Sequence, residues 1–164
     1  MRWTLAFFVA TAASGPGGCK RDHGEAKPAK IGEVLTFEDS DWTVLEVKDG
    51  GKKMQSNNAY SEAKTTEGRF LQIRYRVMNK GKKDEHVLDT PKIVDVTGRE
   101  FGPIPLEAFF VPPGTKSLGL DAIHPRTDRE FWTVIEVPSD AIGLRFQTHG
   151  LGLFGKKKLV DLGR

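Results

Sequence analysis

The chain has 164 residues, with 25 basic and 22 acidic side chains and a formal net charge of +3. This near balance argues against a nucleic-acid partner, which requires a concentrated basic surface, with interleaved aromatics where bases are stacked. The single cysteine, Cys19, excludes an intramolecular disulfide framework.

The first predicted element is an export signal that ends just before Cys19. Arg2 supplies a positive charge, residues 3–13 carry no charge, and residues 14–18 are small or proline. An apolar stretch of this length enters the secretion machinery but is shorter than the roughly 20 helical residues that span a bilayer. The pattern predicts a signal peptide over residues 1–18 and an exported protein.

The residues before Cys19 resemble the processing motif of bacterial lipoproteins, in which small residues precede a cysteine that receives lipid. Gly17 and Gly18 match this motif, whereas Pro16 stands where an aliphatic residue is usual. The resemblance implies lipid attachment at Cys19. Ordinary cleavage after Ala12 is the alternative and would leave the cysteine as a free thiol, and a cytosolic protein with an apolar N-terminal helix is the third interpretation.

A flexible tether is predicted after the signal. Residues 20–30 are mostly charged, contain Gly24 and Pro28, and have no apolar side chain larger than alanine before Ile31. Such a segment cannot anchor a packed element. We therefore expect lipidated Cys19 and a tether over residues 19–30, followed by one domain over residues 31–164.

Short runs of β-branched and aromatic residues, separated by turn residues, fill the rest of the chain. In residues 71–77 apolar and polar side chains alternate, which predicts a strand with one buried face. Further strands are predicted at 34–37, 42–47, 86–88, 92–96, 131–137, 142–148 and 158–162. Turns are predicted at 49–51, 79–81, 97–98 and 138–140. The pattern predicts an all-β fold, an antiparallel β-sandwich of about seven to nine strands.

A series of strand and turn motifs covers most of the chain after the tether. They lie at residues 31–34, 42–44, 68–71, 75–77, 79–81, 95–101, 113–114 and 131–138. In this order they resemble the immunoglobulin-like domain of unknown function of bacterial lipoproteins and secreted proteins, whose members are often labelled telomeric repeat-binding factor. The resemblance implies an immunoglobulin-like sandwich on a lipid tether, and it supplies no catalytic residues.

Motifs for catalysis or metal binding are not found in the sequence. The four histidines are widely spaced and no second cysteine is available for a zinc site. The glycines of residues 150–155 match G-x-G-x-x-G, but too little chain follows for a nucleotide-binding unit, so a glycine-rich hairpin is predicted there. We expect no enzymatic activity, no metal and no cofactor.

Two segments are candidates for recognition of a partner. The first is the proline-bounded segment 103–113, which contains Phe109 and Phe110. If these rings are exposed at an end of the sandwich, they form an apolar spot for a protein, peptide or glycan. The alternative is that they plug the open end of the core.

The second candidate is the predicted loop over residues 49–67. It contains Asn57, Asn58 and Tyr60, a mixture of polar and aromatic side chains that is common in adaptable binding loops. The alternative is a mobile insertion with no partner.

The sequence as a whole favours a lipid-anchored, extracytoplasmic, non-enzymatic binding or accessory module of the bacterial envelope. Its partners would be the membrane, through the lipid on Cys19, and an unknown envelope protein, peptide or glycan, without nucleic acid. Lys20 after the cysteine favours the outer membrane and periplasm in a cell with two membranes; without lipidation the protein would be secreted. A secreted solute- or metal-binding protein is the alternative function, and a hydrolase is the least favoured.

Overall fold

A computed structural model describes residues 27–119, 122–151 and 156–164. The predicted signal peptide, Cys19 and most of the tether lie outside these residues. The described part contains nine strands and a 3-10 helix, Glu107–Phe109. The strands are β1 (Ala29–Lys30), β2 (Val34–Thr36), β3 (Ser40–Met54), β4 (Lys64–Asn79), β5 (Lys92–Val94), β6 (Glu100–Phe101), β7 (Asp128–Val137), β8 (Arg145–Thr148) and β9 (Lys158–Asp161).

The strands form two sheets that pack face to face. One sheet has the order β2-β3-β4-β7 and the other has the order β1-β9-β8-β5-β6. All neighbouring strands are antiparallel except β1, which runs parallel to β9. This arrangement confirms the predicted all-β sandwich. No helix in the described ranges is long and apolar enough to cross a membrane.

The core between the sheets is built around Tyr75 of β4. The Trp42 ring stacks on the Tyr75 ring at 5.6 Å between centroids, and the rings of Phe146 and Phe131 lie at 5.5 and 5.8 Å. The apolar residues of 71–77 are fully buried, as their alternation predicts. The two sheets are therefore joined through a central aromatic cluster.

The predicted turn at residues 49–51 is wrong. The glycines lie within β3, where the register with β4 shifts between Asp49 and Gly51 and again between Gly51 and Lys53. Gly51 has a φ of 69°, which a β-bulge accommodates more easily with glycine than with other residues. The long hairpin β3–β4 therefore continues past the predicted turn, and its loop covers only residues 55–63.

Other boundaries also differ from the predictions. Residues 86–88 form no strand, and Glu85 just before them makes an isolated bridge with Ile123. β8 begins at Arg145 rather than at Ile142, which is 64% exposed, because Gly143 turns the chain with a φ of 59°. Within the described ranges the first strand begins at Ala29, inside the predicted tether. Residues 152–155 of the predicted glycine hairpin lie outside these ranges.

We predict that Tyr75→Phe leaves stability unchanged or raises it by up to about 1 kcal/mol, because the buried Tyr75 hydroxyl has no hydrogen-bond partner in the described structure. Burial, and then the negative charge of Glu107, raise the pKa of this hydroxyl, so it stays neutral. Denaturant unfolding measures the effect. Tyr60→Phe is the control, since Tyr60 is 99% exposed. A loss above about 1 kcal/mol in Tyr75→Phe would contradict the prediction.

Candidate functional site

The candidate site lies along the outer edge of β7, where residues 103–118 run beside the strand; we call this segment the edge strap. β7 is the last strand of its sheet, so its backbone groups need partners from outside the sheet. The Ile104 amide donates to the Val134 carbonyl at 2.9 Å, and the Trp132 amide donates to the Lys116 carbonyl at 2.8 Å. The edge strap thus closes the edge of β7 against pairing with another chain.

Glu107 completes this closure with its side chain. Its Oε2 accepts hydrogen bonds from the Val134 amide at 3.0 Å and from the Thr133 hydroxyl at 2.7 Å. Burial raises the pKa of the Glu107 carboxyl, and the two hydrogen bonds act against this rise. A carboxylate therefore takes the place of a strand carbonyl and is held in a partly dry environment.

Leu106, which precedes the 3-10 helix, has an unusual backbone conformation. Its φ and ψ are 60° and 32°, in the left-handed region that leucine rarely adopts, and its side chain is 68% exposed. The 3-10 turn follows at once, with the Phe109 amide donating to the Leu106 carbonyl at 3.0 Å. Such strained, exposed residues cluster at functional sites, which makes this turn a candidate.

A cleft of about 430 Å³ opens between the two limbs of the edge strap; we call it the strap cleft. It is lined by the apolar residues Pro103, Ile104, Leu106, Ala108 and Leu118 and by Glu107. Thr90 and Ser117 add two hydroxyl groups. The cleft is open to solvent and its lining is mixed polar and apolar, so it can hold a small group but does not enclose one.

The edge strap also covers the outer face of the sheet. Ile104, Phe110 and Val111 form a second hydrophobic cluster with residues of β3, β4 and β7, which we call the outer cluster; the strand residues are Met54, Phe70, Trp132 and Val134. Phe110 is only 4% exposed, and Phe109 packs partly buried against this cluster. The expectation of exposed rings is wrong for Phe110, and so is the alternative of a plug in the main core, since both rings pack on the outer cluster.

The structure brings the two candidate segments together. The Asn57 amide donates to the Phe109 carbonyl at 2.7 Å, and the Asn57 side-chain amide donates to the Val111 carbonyl. Asn58 acts within its own loop, where its Oδ1 accepts from the Tyr60 amide at 2.9 Å. Tyr60 projects into solvent and is 99% exposed. A partner-binding role for these residues stays a prediction.

The histidines provide no metal centre in the described ranges, where no group of three or more His, Cys, Asp or Glu side chains is arranged to hold an ion. His124 Nδ1 lies 2.9 Å from an oxygen of Asp84, at the surface. His149 Nδ1 lies 3.2 Å from an oxygen of Asp89, and burial lowers the pKa of this histidine.

Sequence reasoning missed Glu107. It is the only charged residue of segment 103–113, which is otherwise apolar or proline. A lone carboxylate in such a segment must find partners if the segment packs, and this is the signal that could have identified it.

No family model matches this sequence, and no curated protein matches it. Several solved structures do match. The yjhA protein of Bacillus subtilis has 15% identity and a TM-score of 0.62, over 81% of this chain and 98% of that chain. An uncharacterized β-sandwich protein of Clostridium difficile has 14% identity and a TM-score of 0.51, over 83% and 95%. The secreted protein MPT63 of Mycobacterium tuberculosis has 14% identity and a TM-score of 0.58, over 83% and 98%. At these identities the likeness shows the β-sandwich fold alone.

We predict that Asn57→Ala lowers the free energy of unfolding by about 1 kcal/mol, because it removes the side-chain hydrogen bond to the Val111 carbonyl. Hydrogen exchange at the Asn57 position and at the Ile104 amide should become faster, since the loop then holds the edge strap through fewer hydrogen bonds. Asn58→Ala is the control, because Asn58 bonds only within its loop. Equal effects of the two substitutions on the Ile104 amide would contradict the prediction.

Glu107 should also make stability depend on pH. Because its pKa is raised above the ordinary value of 4.5, the native state holds this proton more tightly than the unfolded chain does. The stability that the native state gains from this tighter proton binding is therefore fully present below pH 4.5. It is lost as the pH rises through the raised pKa of Glu107. Denaturant midpoints of wild type and Glu107→Gln between about pH 4 and pH 8 measure this. The wild type should lose stability relative to the variant as the pH rises, and a constant difference would show that the pKa is not raised.

Proposed function

We propose that this protein is an exported, non-enzymatic binding or accessory module, held at a bacterial membrane by lipid on Cys19. The order of the first nineteen residues carries the proposal: a positive charge, an uncharged apolar stretch, small residues, and then the single cysteine. The resemblance to immunoglobulin-like domains of bacterial lipoproteins supports it. The fold shared with MPT63, a secreted protein, supports export but has no bearing on the lipid anchor.

The geometry of the sandwich suits a module that presents one edge to a partner. The tether enters through β1, the outermost strand of its sheet. At the opposite side of that sheet lies β6, which contacts β7. The edge strap therefore lies on the side of the sandwich opposite the tether. A membrane close to the tether would leave the edge strap accessible to a partner.

Binding, rather than catalysis, is also the function that the strap cleft supports. Among the described residues that line it, Glu107 is the only titratable side chain. Nucleophilic catalysis would need Glu107 to activate the Thr90 or Ser117 hydroxyl, but its hydrogen bonds in the described structure go to the Thr133 hydroxyl and the Val134 amide. The Glu107 carboxylate can bind a polar group of a ligand, and the apolar side chains beside it can contact the apolar part of the same ligand.

We predict a diacylglyceryl group on Cys19 in the membrane fraction of cells. N-terminal mass spectrometry of membrane and soluble fractions measures this directly, and Cys19→Ser is the control that should lose both the lipid and the membrane association. The lipid supplies stable anchoring through buried acyl chains. Unmodified protein that begins at Ala13 in the soluble fraction would contradict the anchor and indicate a freely secreted domain.

A further inference from the structure

We propose that the strap cleft binds a primary ammonium group carried on a short alkyl chain, with Glu107 as its counter-ion. The inference rests on the proposed binding function, but it does not depend on lipid at Cys19. Its ligand is either a free alkylamine or the side chain of a lysine on a partner, and both present the same chemistry.

The first argument is that Glu107 has no cationic partner among the described residues, while its Oε1 is not among the buried unpartnered atoms and is open to a ligand. Both of its hydrogen bonds end on Oε2, and no residue in the described ranges donates to Oε1. No basic side chain of these ranges lies within 4.0 Å of its carboxylate. A partly buried charge without a counter-ion is unfavourable, and a cation from outside relieves that cost.

Asp95 provides the contrast within the same chain. It is 4% exposed, but its Oδ2 accepts from Arg99 Nε at 2.6 Å and its Oδ1 accepts from the Thr97 and Arg99 amides at 2.9 Å. Burial on its own would raise the pKa of Asp95, but these hydrogen bonds lower it well below its usual value. The Asp95 carboxylate is paired with the Arg99 guanidinium, whereas Glu107 has no such cation among the described residues.

The second argument is the shape and lining of the strap cleft. An alkyl chain can lie against Ile104, Leu106 and Leu118, and an ammonium group can donate to Glu107 Oε1. The hydroxyls of Thr90 and Ser117 line the same cleft and can accept the remaining ammonium protons. An anionic ligand would instead be repelled by the carboxylate.

Leu106 adds a third observation. Its side chain lines the cleft, yet it is 68% exposed and its backbone is strained. Covering this side chain with an alkyl chain removes apolar surface from water. The same turn thus supplies the apolar contact and the charged contact.

The test is a titration of the protein, purified in the form that the cell exports, followed by the chemical shifts of its backbone amides. Pentylammonium chloride is the free-amine probe and Nα-acetyl-lysinamide is the lysine probe, each up to about 10 mM at constant ionic strength and about pH 8. We expect saturable shifts at Val134, Leu106 and Ser117. Tighter binding of one probe identifies the source of the ammonium group.

The roles of the Glu107 carboxylate and of the ligand's ammonium group are tested with matched variants and ligands. Glu107→Gln keeps an acceptor of the same shape, and we expect it to weaken binding at least about tenfold. Glu62→Gln removes an exposed carboxylate from the 55–63 loop and should bind like the wild type. Pentanol should cause no saturable shift, and binding of the amine should weaken towards pH 4 as Glu107 takes up its proton.

Several results would overturn the proposal: no saturation by either probe, equal binding of pentanol, or equal binding by Glu107→Gln. If Glu107→Gln fails to fold, Ala108→Trp is tested instead. Ala108 is exposed and lines the cleft, so the larger tryptophan side chain should fill the space that the ligand needs. Loss of binding in that variant supports the site and undiminished binding contradicts it. Cys19→Ser should bind as well as wild type, so failure of the anchor and failure of the cleft are distinguishable.

Discussion

The outermost strand of a sheet carries backbone groups that must be satisfied, and β7 is such a strand in this sandwich. The edge strap provides the Lys116 carbonyl and the Glu107 carboxylate as acceptors and the Ile104 amide as a donor. The same segment buries Phe110 on the outer face of the sheet. Closure of one edge therefore determines the path of residues 103–118, the position of the cleft and the burial of both rings in the outer cluster.

The use of a carboxylate for this closure has a consequence for recognition. A backbone carbonyl would satisfy the Val134 amide without a net charge, whereas Glu107 also brings a negative charge into a partly buried place. Burial, and after it that charge, raise the pKa of the Tyr75 hydroxyl in the core. The edge strap is thus both a structural cover and a source of unbalanced charge at an accessible cleft.

Local pattern was sufficient to predict the strands that bury one face. The alternation in residues 71–77 placed Tyr75 in the core correctly. It failed at Gly50 and Gly51, since a bulge and a turn use the same residues and only pairing with β4 distinguishes them. The candidate site was only partly predictable, because the bond from Asn57 to Val111 joins residues 54 positions apart.

One sequence signal for the outer cluster was nevertheless available. Residues 131–135 are all buried, including Trp132 and Val134 on the outer face, and an uninterrupted run of this kind is typical of a strand covered on both faces. A sheet covered on both faces requires a third layer, and within the predicted domain over residues 31–164 the long apolar segment without strand pattern is 103–113. This reasoning would have placed Phe110 against β7 rather than at the end of the sandwich.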